Sequence, residues 1–118
     1  MADDCIFCKI GAGEVPAKEA YRDSNIVAIE DLNPQAPVHL LVMPVGHYDT
    51  LAEVVRDSTA LAGGGLVPEL IAVAAQLGEK HGSGGYRLVV NTGRDGGQTV
   101  GHVHVHVLAG RRMSWPPG

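Results

Sequence analysis

The run His102-Val103-His104-Val105-His106, followed by Val107 and Leu108, carries the residues most able to do chemistry in this chain. Strict alternation is the period of a β-strand, whose successive side chains point to opposite faces. It predicts His102, His104 and His106 on one face and Val103, Val105 and Val107 on the other. The valines can bury in a core while the imidazoles form a row, with neighbours about 7 Å apart. Imidazole can be nucleophile, proton carrier or metal ligand near neutral pH. Three of the chain's six histidines fall in this one run, so chance decoration of a surface strand is the weaker explanation. Two chemistries stay open: a His-x-His pair on one zinc ion, or a histidine nucleophile oriented by its neighbours.

The segment feeding this run is rich in glycine: Asn91-Thr92-Gly93-Arg94-Asp95-Gly96-Gly97-Gln98-Thr99. Alone it reads as a hairpin turn. Beside three imidazoles, a phosphate-binding turn is the better reading, with backbone N–H groups turned inward and Gln98 and Thr99 as side-chain donors. No Gly-Lys-Ser/Thr follows, so it is not a Walker loop. Cys5-Ile6-Phe7-Cys8 places two thiols at a spacing that suits half of a tetrahedral zinc site. The strand-then-helix context of a thioredoxin-type redox pair is missing, and two reduced cysteines in an apolar N-terminus remain the alternative. His39 lies in an apolar run and reads equally well as a core histidine. Arg94, Arg111 and Arg112 are candidates for local positive charge.

These groups must be positioned by a small scaffold. At 118 residues, 45% hydrophobic and 19% charged, the chain is expected to form one domain over 1–118. The formal net charge of −4 argues against nonspecific binding to nucleic acid or an anionic membrane. No secretory signal or bilayer-length apolar run is visible, so a cytoplasmic protein is expected. Cys5 to Ile10 suggests a helical turn. Ala20–Tyr21 and Ile26–Glu30 suggest strands joined by the turn Asp23-Ser24-Asn25. Val38–Met43 is a β-rich run stopped by Pro44. A short helix begins in Asp49–Glu53. Ser58–Lys80 reads as the main helix, with Val67, Leu70, Ile71, Ala74 and Leu77 at helical spacing. Gly63-Gly64-Gly65 and Pro68 weaken its first half, and Gly82 suits its C-cap. Tyr86–Asn91 and Thr99–Leu108 should pair as an antiparallel hairpin around the Gly-rich loop. The sum is an α+β domain: an antiparallel sheet, one main helix and one short helix.

Gly97-Gln98-Thr99-Val100 and the alternating histidines closely resemble the signature of the histidine triad (HIT) superfamily. The likeness extends to Ile6-Phe7-Cys8-Lys9-Ile10, Glu14-Val15-Pro16, Asp31 through His39, Gly85 through Asn91 and the closing Trp115-Pro116-Pro117-Gly118. That ending resembles the Hint branch, the purine nucleoside phosphoramidases. The resemblance implies a HIT-like fold and a homodimer whose two protomers share one continuous sheet, with a nucleotide site in each. It implies His104 as the nucleophile toward the α-phosphorus of a nucleoside 5′-phosphoramidate, through a nucleotidyl-histidine intermediate. His106 would hold the non-bridging oxygens, and His39 and His102 would form a relay behind the nucleophile. Asp31 matches the ribose-binding carboxylate, and Phe7, Ile10, Ile29 and Leu32 the apolar walls around the base. Asn91, Gly97 and Thr99 match phosphate and leaving-group contacts, and Trp115 a residue reaching toward the partner's site. Purine nucleoside monophosphates and phosphoramidates are the implied ligands, and no metal is required for the chemistry.

Several bacterial members carry the N-terminal cysteine pair, which implies a structural zinc at Cys5, Cys8, His47 and His102. Zinc and relay both claim His102, and one ring serves both only through its two different nitrogens. Gly101 stands where the branch usually has an aromatic, and Arg112 and Ser114 depart from common tails, which bears on leaving-group preference. A nucleotide-binding regulatory protein with incidental hydrolysis, a dinucleoside polyphosphate hydrolase and a zinc-dependent hydrolase are the rival functions.

Overall fold

A computed structural model describes residues 4–57 and 65–118. Among these residues, three helices, α1 (Ile6–Gly11), α2 (Leu51–Arg56) and α3 (Leu66–His81), accompany five strands: β1 (Glu19–Arg22), β2 (Ile26–Glu30), β3 (Val38–Pro44), β4 (Tyr86–Val89) and β5 (Val105–Ala109). The strands form one antiparallel sheet in the order β1-β2-β3-β5-β4. The architecture is the α+β one read from the sequence, with α1 as an additional short helix. None of the helices among the described residues is long and apolar enough to cross a membrane.

Two apolar layers sandwich the sheet, and the two-residue period of each strand assigns its side chains between them. Ile26 and Ala28 of β2, Leu40 and Val42 of β3, and Val105 and Val107 of β5 pack with Leu70, Val73, Ala74 and Leu77 of α3. Val27, Ile29, Leu41 and Met43 point the other way, against Phe7 and Ile10 of α1. β2 and β3 are thus covered on both faces, which is why they read as continuous apolar runs rather than alternating ones.

Local signals explain the element ends. Asp23 Oδ1 accepts the N–H groups of Asn25 and Ile26, at 2.7 and 2.8 Å, closing the β1–β2 turn. The Thr50 side chain caps α2 by accepting the Glu53 N–H, and the Glu53 carboxylate accepts the Asp49 N–H at 2.8 Å, a reciprocal cap. α3 begins at Leu66, leaving Pro68 in its first turn, where a missing N–H costs nothing. The expected start at Ser58 lies outside the described residues. Gly82 ends the helix as expected.

The histidine strand is shorter than its alternation suggested. β5 begins at Val105, not Thr99, and β4 ends at Val89, not Asn91, so the hairpin's connection is longer than the Gly-rich loop alone. The β3–β5 ladder ends at the pair Val42 and Val105. Continued pairing would bring Val103 opposite Pro44, which has no N–H to donate. The segment before β5 is tied elsewhere: the Val103 N–H donates to the Tyr48 carbonyl at 2.7 Å. Alternation of faces nevertheless persists, since Val103 joins Val105 and Val107 in the layer beneath α3.

Candidate functional site

The face of the sheet opposite α3 carries the imidazoles. Leu41 of β3 lies directly across from His106 of β5, so His39, two residues earlier, is the diagonal neighbour of His106 and within side-chain reach. The His39 and His106 rings meet, Nε2 to Nδ1, at 2.9 Å. His104 and His106 stand edge to face, with ring centroids 4.9 Å apart. The rings therefore converge more closely than the strand rise alone implied. His102 is fully buried and His104 is 7% exposed.

Hydrogen bonds fix the tautomer of each ring. The Gln35 N–H donates to His39 Nδ1 at 3.0 Å, so that nitrogen is bare and the proton of neutral His39 sits on Nε2. That Nε2–H donates to His106 Nδ1, which leaves the His106 proton on Nε2. His104 is the opposite case. Its Nδ1 lies 2.8 Å from the His102 carbonyl, which can only accept, so Nδ1 carries the proton and Nε2 is bare. Two neighbouring imidazoles thus present unlike ends: a lone pair on His104 and an N–H on His106.

Burial favours the neutral form of His39 and His106. It is the largest influence on His106, pushed down to about 4 with help from the neighbouring imidazoles His104 and His39. His39 is pushed down by burial and partly restored by the Asp31 carboxylate, whose Oδ2 lies 3.4 Å from Nε2. Asp31 Oδ1 is held by the Asn33 N–H at 2.8 Å.

A cleft of about 540 Å³ opens over this face, lined by Phe7, Ile10, Ile29, Asp31, Leu32, Thr99, His104 and His106 among others, a size suited to a small-molecule ligand. Phe7, Ile10 and Ile29 are also core residues, so packing and wall are one role for them. Leu32 is fully exposed at the rim. Asn91 and Gly97 do not line this cleft. Asn91 donates its amide to the Gly96 carbonyl at 2.7 Å and so braces the Gly-rich loop. Gly97, with φ of 79°, lines a second, more open depression together with Thr99. Trp115 is 81% exposed and is absent from the cleft's lining.

Gln98 is not the phosphate donor its position suggested. Its amide N–H groups go to the carbonyls of Asp49 and Val100, at 2.6 and 3.0 Å, and its oxygen accepts the Gly93 N–H. Arg94 pairs with Asp95 and Arg111 donates to the Gln35 carbonyl; neither lines the cleft, nor does Arg112.

Cys5, Cys8, His47 and His102 converge beside the triad, with one ligand atom from each within 4.8 Å of all the others. His47 Nδ1 lies 3.1 Å from Cys8 Sγ, and His102 Nδ1 lies 3.3 Å from Cys5 Sγ and 3.5 Å from Cys8 Sγ. Each far ring nitrogen has an oxygen acceptor: His47 Nε2 the Asp49 carboxylate at 2.6 Å, His102 Nε2 the Pro44 carbonyl at 2.8 Å. Both rings are thereby set to aim a bare Nδ1 at the thiols, the outer support that metal-binding histidines use. Burial, then the Cys5 thiol, pushes the Cys8 thiol up to about 11. The donor set fits zinc. The His102 ring makes no hydrogen bond to the His104 ring; the hydrogen-bonded pair of rings is His39 and His106, and His102 meets His104 through its main-chain carbonyl.

The sequence does not announce the backbone partners: the Gln35 N–H, the Pro44 carbonyl and the His102 carbonyl. Nor does it announce Arg22, which donates to the last carbonyls of α1, Ile10 at 3.1 Å and Gly11 at 2.9 Å.

Residues 12–113 match the HIT domain family. An uncharacterised HIT-like protein of Synechococcus elongatus is 47% identical over 118 residues, covering all of both chains. A crystal structure of a HIT family hydrolase from Legionella pneumophila superposes with a TM-score of 0.88 at 44% identity, covering 98% of this chain and all of the other. A zinc-bound histidine triad family protein from Mycobacterium smegmatis superposes with a TM-score of 0.70 at 33% identity, covering 100% of this chain and 82% of the other.

Proposed function

Since the chain belongs to the HIT domain family, we propose that it hydrolyses nucleoside 5′-phosphoramidates, preferring purines, through a covalent nucleotidyl-His104 intermediate. The observation that carries this is the pair of unlike tautomers on His104 and His106. The bare Nε2 of His104 attacks the α-phosphorus. The P–N bond to the departing amine breaks, and the amine leaves with a proton taken from solvent. Water then attacks the same phosphorus, the bond to His104 breaks, and the nucleoside monophosphate is released. His106, neutral by burial, donates its Nε2–H to a non-bridging oxygen, where charge builds. Splitting the displacement into two steps spares water a direct attack on the intact phosphoramidate. Asp31, at the cleft wall, suits two vicinal ribose hydroxyls, and Phe7, Ile10 and Ile29 suit a flat base.

Rapid quenching of the full chain with adenosine 5′-phosphoramidate tests this. Peptide mass mapping is expected to place a nucleoside monophosphoryl group on His104. An adduct on another side chain defeats the assignment. Faster cleavage of diadenosine polyphosphates than of phosphoramidates would favour the dinucleotide hydrolase.

Cys5, Cys8, His47 and His102 would hold a structural zinc, which on binding would knit α1 to the loop after β3. The zinc-bound mycobacterial relative supports this reading. Protein purified without added metal is expected to carry close to one zinc per chain, because such sites bind tightly; less than about half by elemental analysis counts against it. The thiols must stay reduced, which suits the cytoplasm. A homodimer with one continuous sheet fits the position of β4 at the sheet's edge, where a second copy can pair; sedimentation of the full chain as a monomer would refute it.

A further inference from the structure

We propose that Cys5, Cys8 and His47 are positioning residues for the nucleophile, acting on His104 through the ring and then the backbone of His102. This rests on the readings of His104 as nucleophile and of the cysteine–histidine cluster as a metal site, and it joins them.

A neutral imidazole free in water samples both tautomers. His104 presents its Nε2 lone pair to the cleft only while Nδ1–H is held, and its holder is the His102 carbonyl at 2.8 Å. That carbonyl is useful only if its peptide plane is fixed. The segment carrying it precedes β5 and is outside the strand ladder. One backbone tie is the Val103 N–H to the Tyr48 carbonyl, at 2.7 Å. The grip nearest that carbonyl is on the His102 side chain, which is fully buried. Nε2–H is held by the Pro44 carbonyl at 2.8 Å, and Nδ1 faces Cys5 Sγ at 3.3 Å and Cys8 Sγ at 3.5 Å. A ring gripped at both nitrogens cannot turn without losing a partner, so its Cα and the adjoining carbonyl keep one orientation.

The same cysteines secure a second contact. Phe7 lies between them in α1 and sets its ring edge-on to both His102 and His104, with centroids 5.9 and 5.2 Å apart. α1 has six residues, too few to persist alone. It is held by the Cys5 cap on the Cys8 N–H, by Arg22 at its last carbonyls and by the thiols' engagement with His47 and His102. Breaking the cluster therefore loosens the His102 carbonyl and the Phe7 wall together.

Cys8→Ser, His102→Ala and His47→Ala in the full chain test this, read by zinc content, by histidine ¹⁵N spectra and by kcat and KM well below Tm. Wild type is expected to show His104 with the proton on Nδ1 and Nε2 bare. Cys8→Ser and His102→Ala are expected to show mixed tautomers at His104. Their kcat should fall about 10- to 100-fold, the range for losing a group that orients a metal or its ligand, with KM within about threefold. His47→Ala removes one ligand of the same cluster and is expected to show the same mixed tautomers at His104 and the same fall in kcat. A Cys8→Ser chain that melts earlier yet keeps both the His104 tautomer and kcat overturns the proposal. Should the variants not fold, wild type stripped by a chelator and then reloaded with zinc gives the same comparison. Wild type that takes up no zinc overturns the metal reading and this proposal with it. Turnover surviving in His104→Gly overturns the nucleophile reading, while the His104 ¹⁵N signal, which needs no turnover, still decides whether the cluster positions that ring.

Discussion

His104→Ala is expected to abolish phosphoramidate turnover, by at least about ten-thousand-fold as for other covalent nucleophiles, while nucleoside monophosphate still binds. The reason lies in how the other imidazoles are committed. The bare nitrogen of His106 is Nδ1, and it is taken by His39 Nε2–H. The bare nitrogen of His39 is taken by the Gln35 N–H. His102 has both nitrogens engaged away from the cleft. Of these four imidazoles, only His104 offers a lone pair to a phosphorus in the cleft, so none of the other three can replace it. Binding survives because Phe7, Ile10, Ile29 and Asp31 still line the cleft. Calorimetry with AMP and an initial-rate assay decide the matter: an active His104→Ala protein refutes the mechanism, and loss of AMP binding with it would make the ring a structural element.

The second large effect is acid sensitivity. His106 is neutral in the fold down to about 4, whereas an unfolded histidine takes up its proton near 6.5. Above that value both states carry a neutral ring and the stabilisation is whole. As pH falls from about 6.5 to about 4, only the unfolded chain gains the proton, so stability drops; below that window the loss is complete. With allowance for partial exposure, His106 contributes roughly 2 kcal/mol. His39, also pushed down by burial, adds loss in the same direction, since its protonation would set an N–H against the Gln35 N–H. The expected result is a fall in Tm on the order of 10 °C between pH 7 and pH 4.5, less steep in His106→Gln. A Tm flat across that range would mean the rings titrate freely.

The sequence made the alternation of residues 102–107 legible because a two-residue period is a direct consequence of strand geometry. It likewise exposed β2, β3 and the later part of α3, whose apolar runs have no other place to go than the core. It overextended the histidine strand because pairing depends on the neighbour, and here the neighbour ends in Pro44, a residue distant in sequence. Gln98 differs from its sequence expectation for a related reason: an amide beside a glycine-rich loop looks available until the carbonyl of Asp49, about fifty residues away, claims it. The tautomers were least legible of all. They are set by backbone groups at Gln35, Pro44 and His102, and every residue type has such groups. The converging set Cys5, Cys8, His47 and His102 was visible through likeness to relatives, not through spacing alone.

The division of residues 102–107 between two faces also constrains how this gene can drift. Adding or removing one codon between His102 and Val107 would make every later side chain trade sides, sending valines into the cleft and imidazoles into the oil beneath α3. Folding and chemistry would be lost in a single event. Substitutions can accumulate there one at a time, but length cannot change, so insertions and deletions that persist among descendants must fall elsewhere.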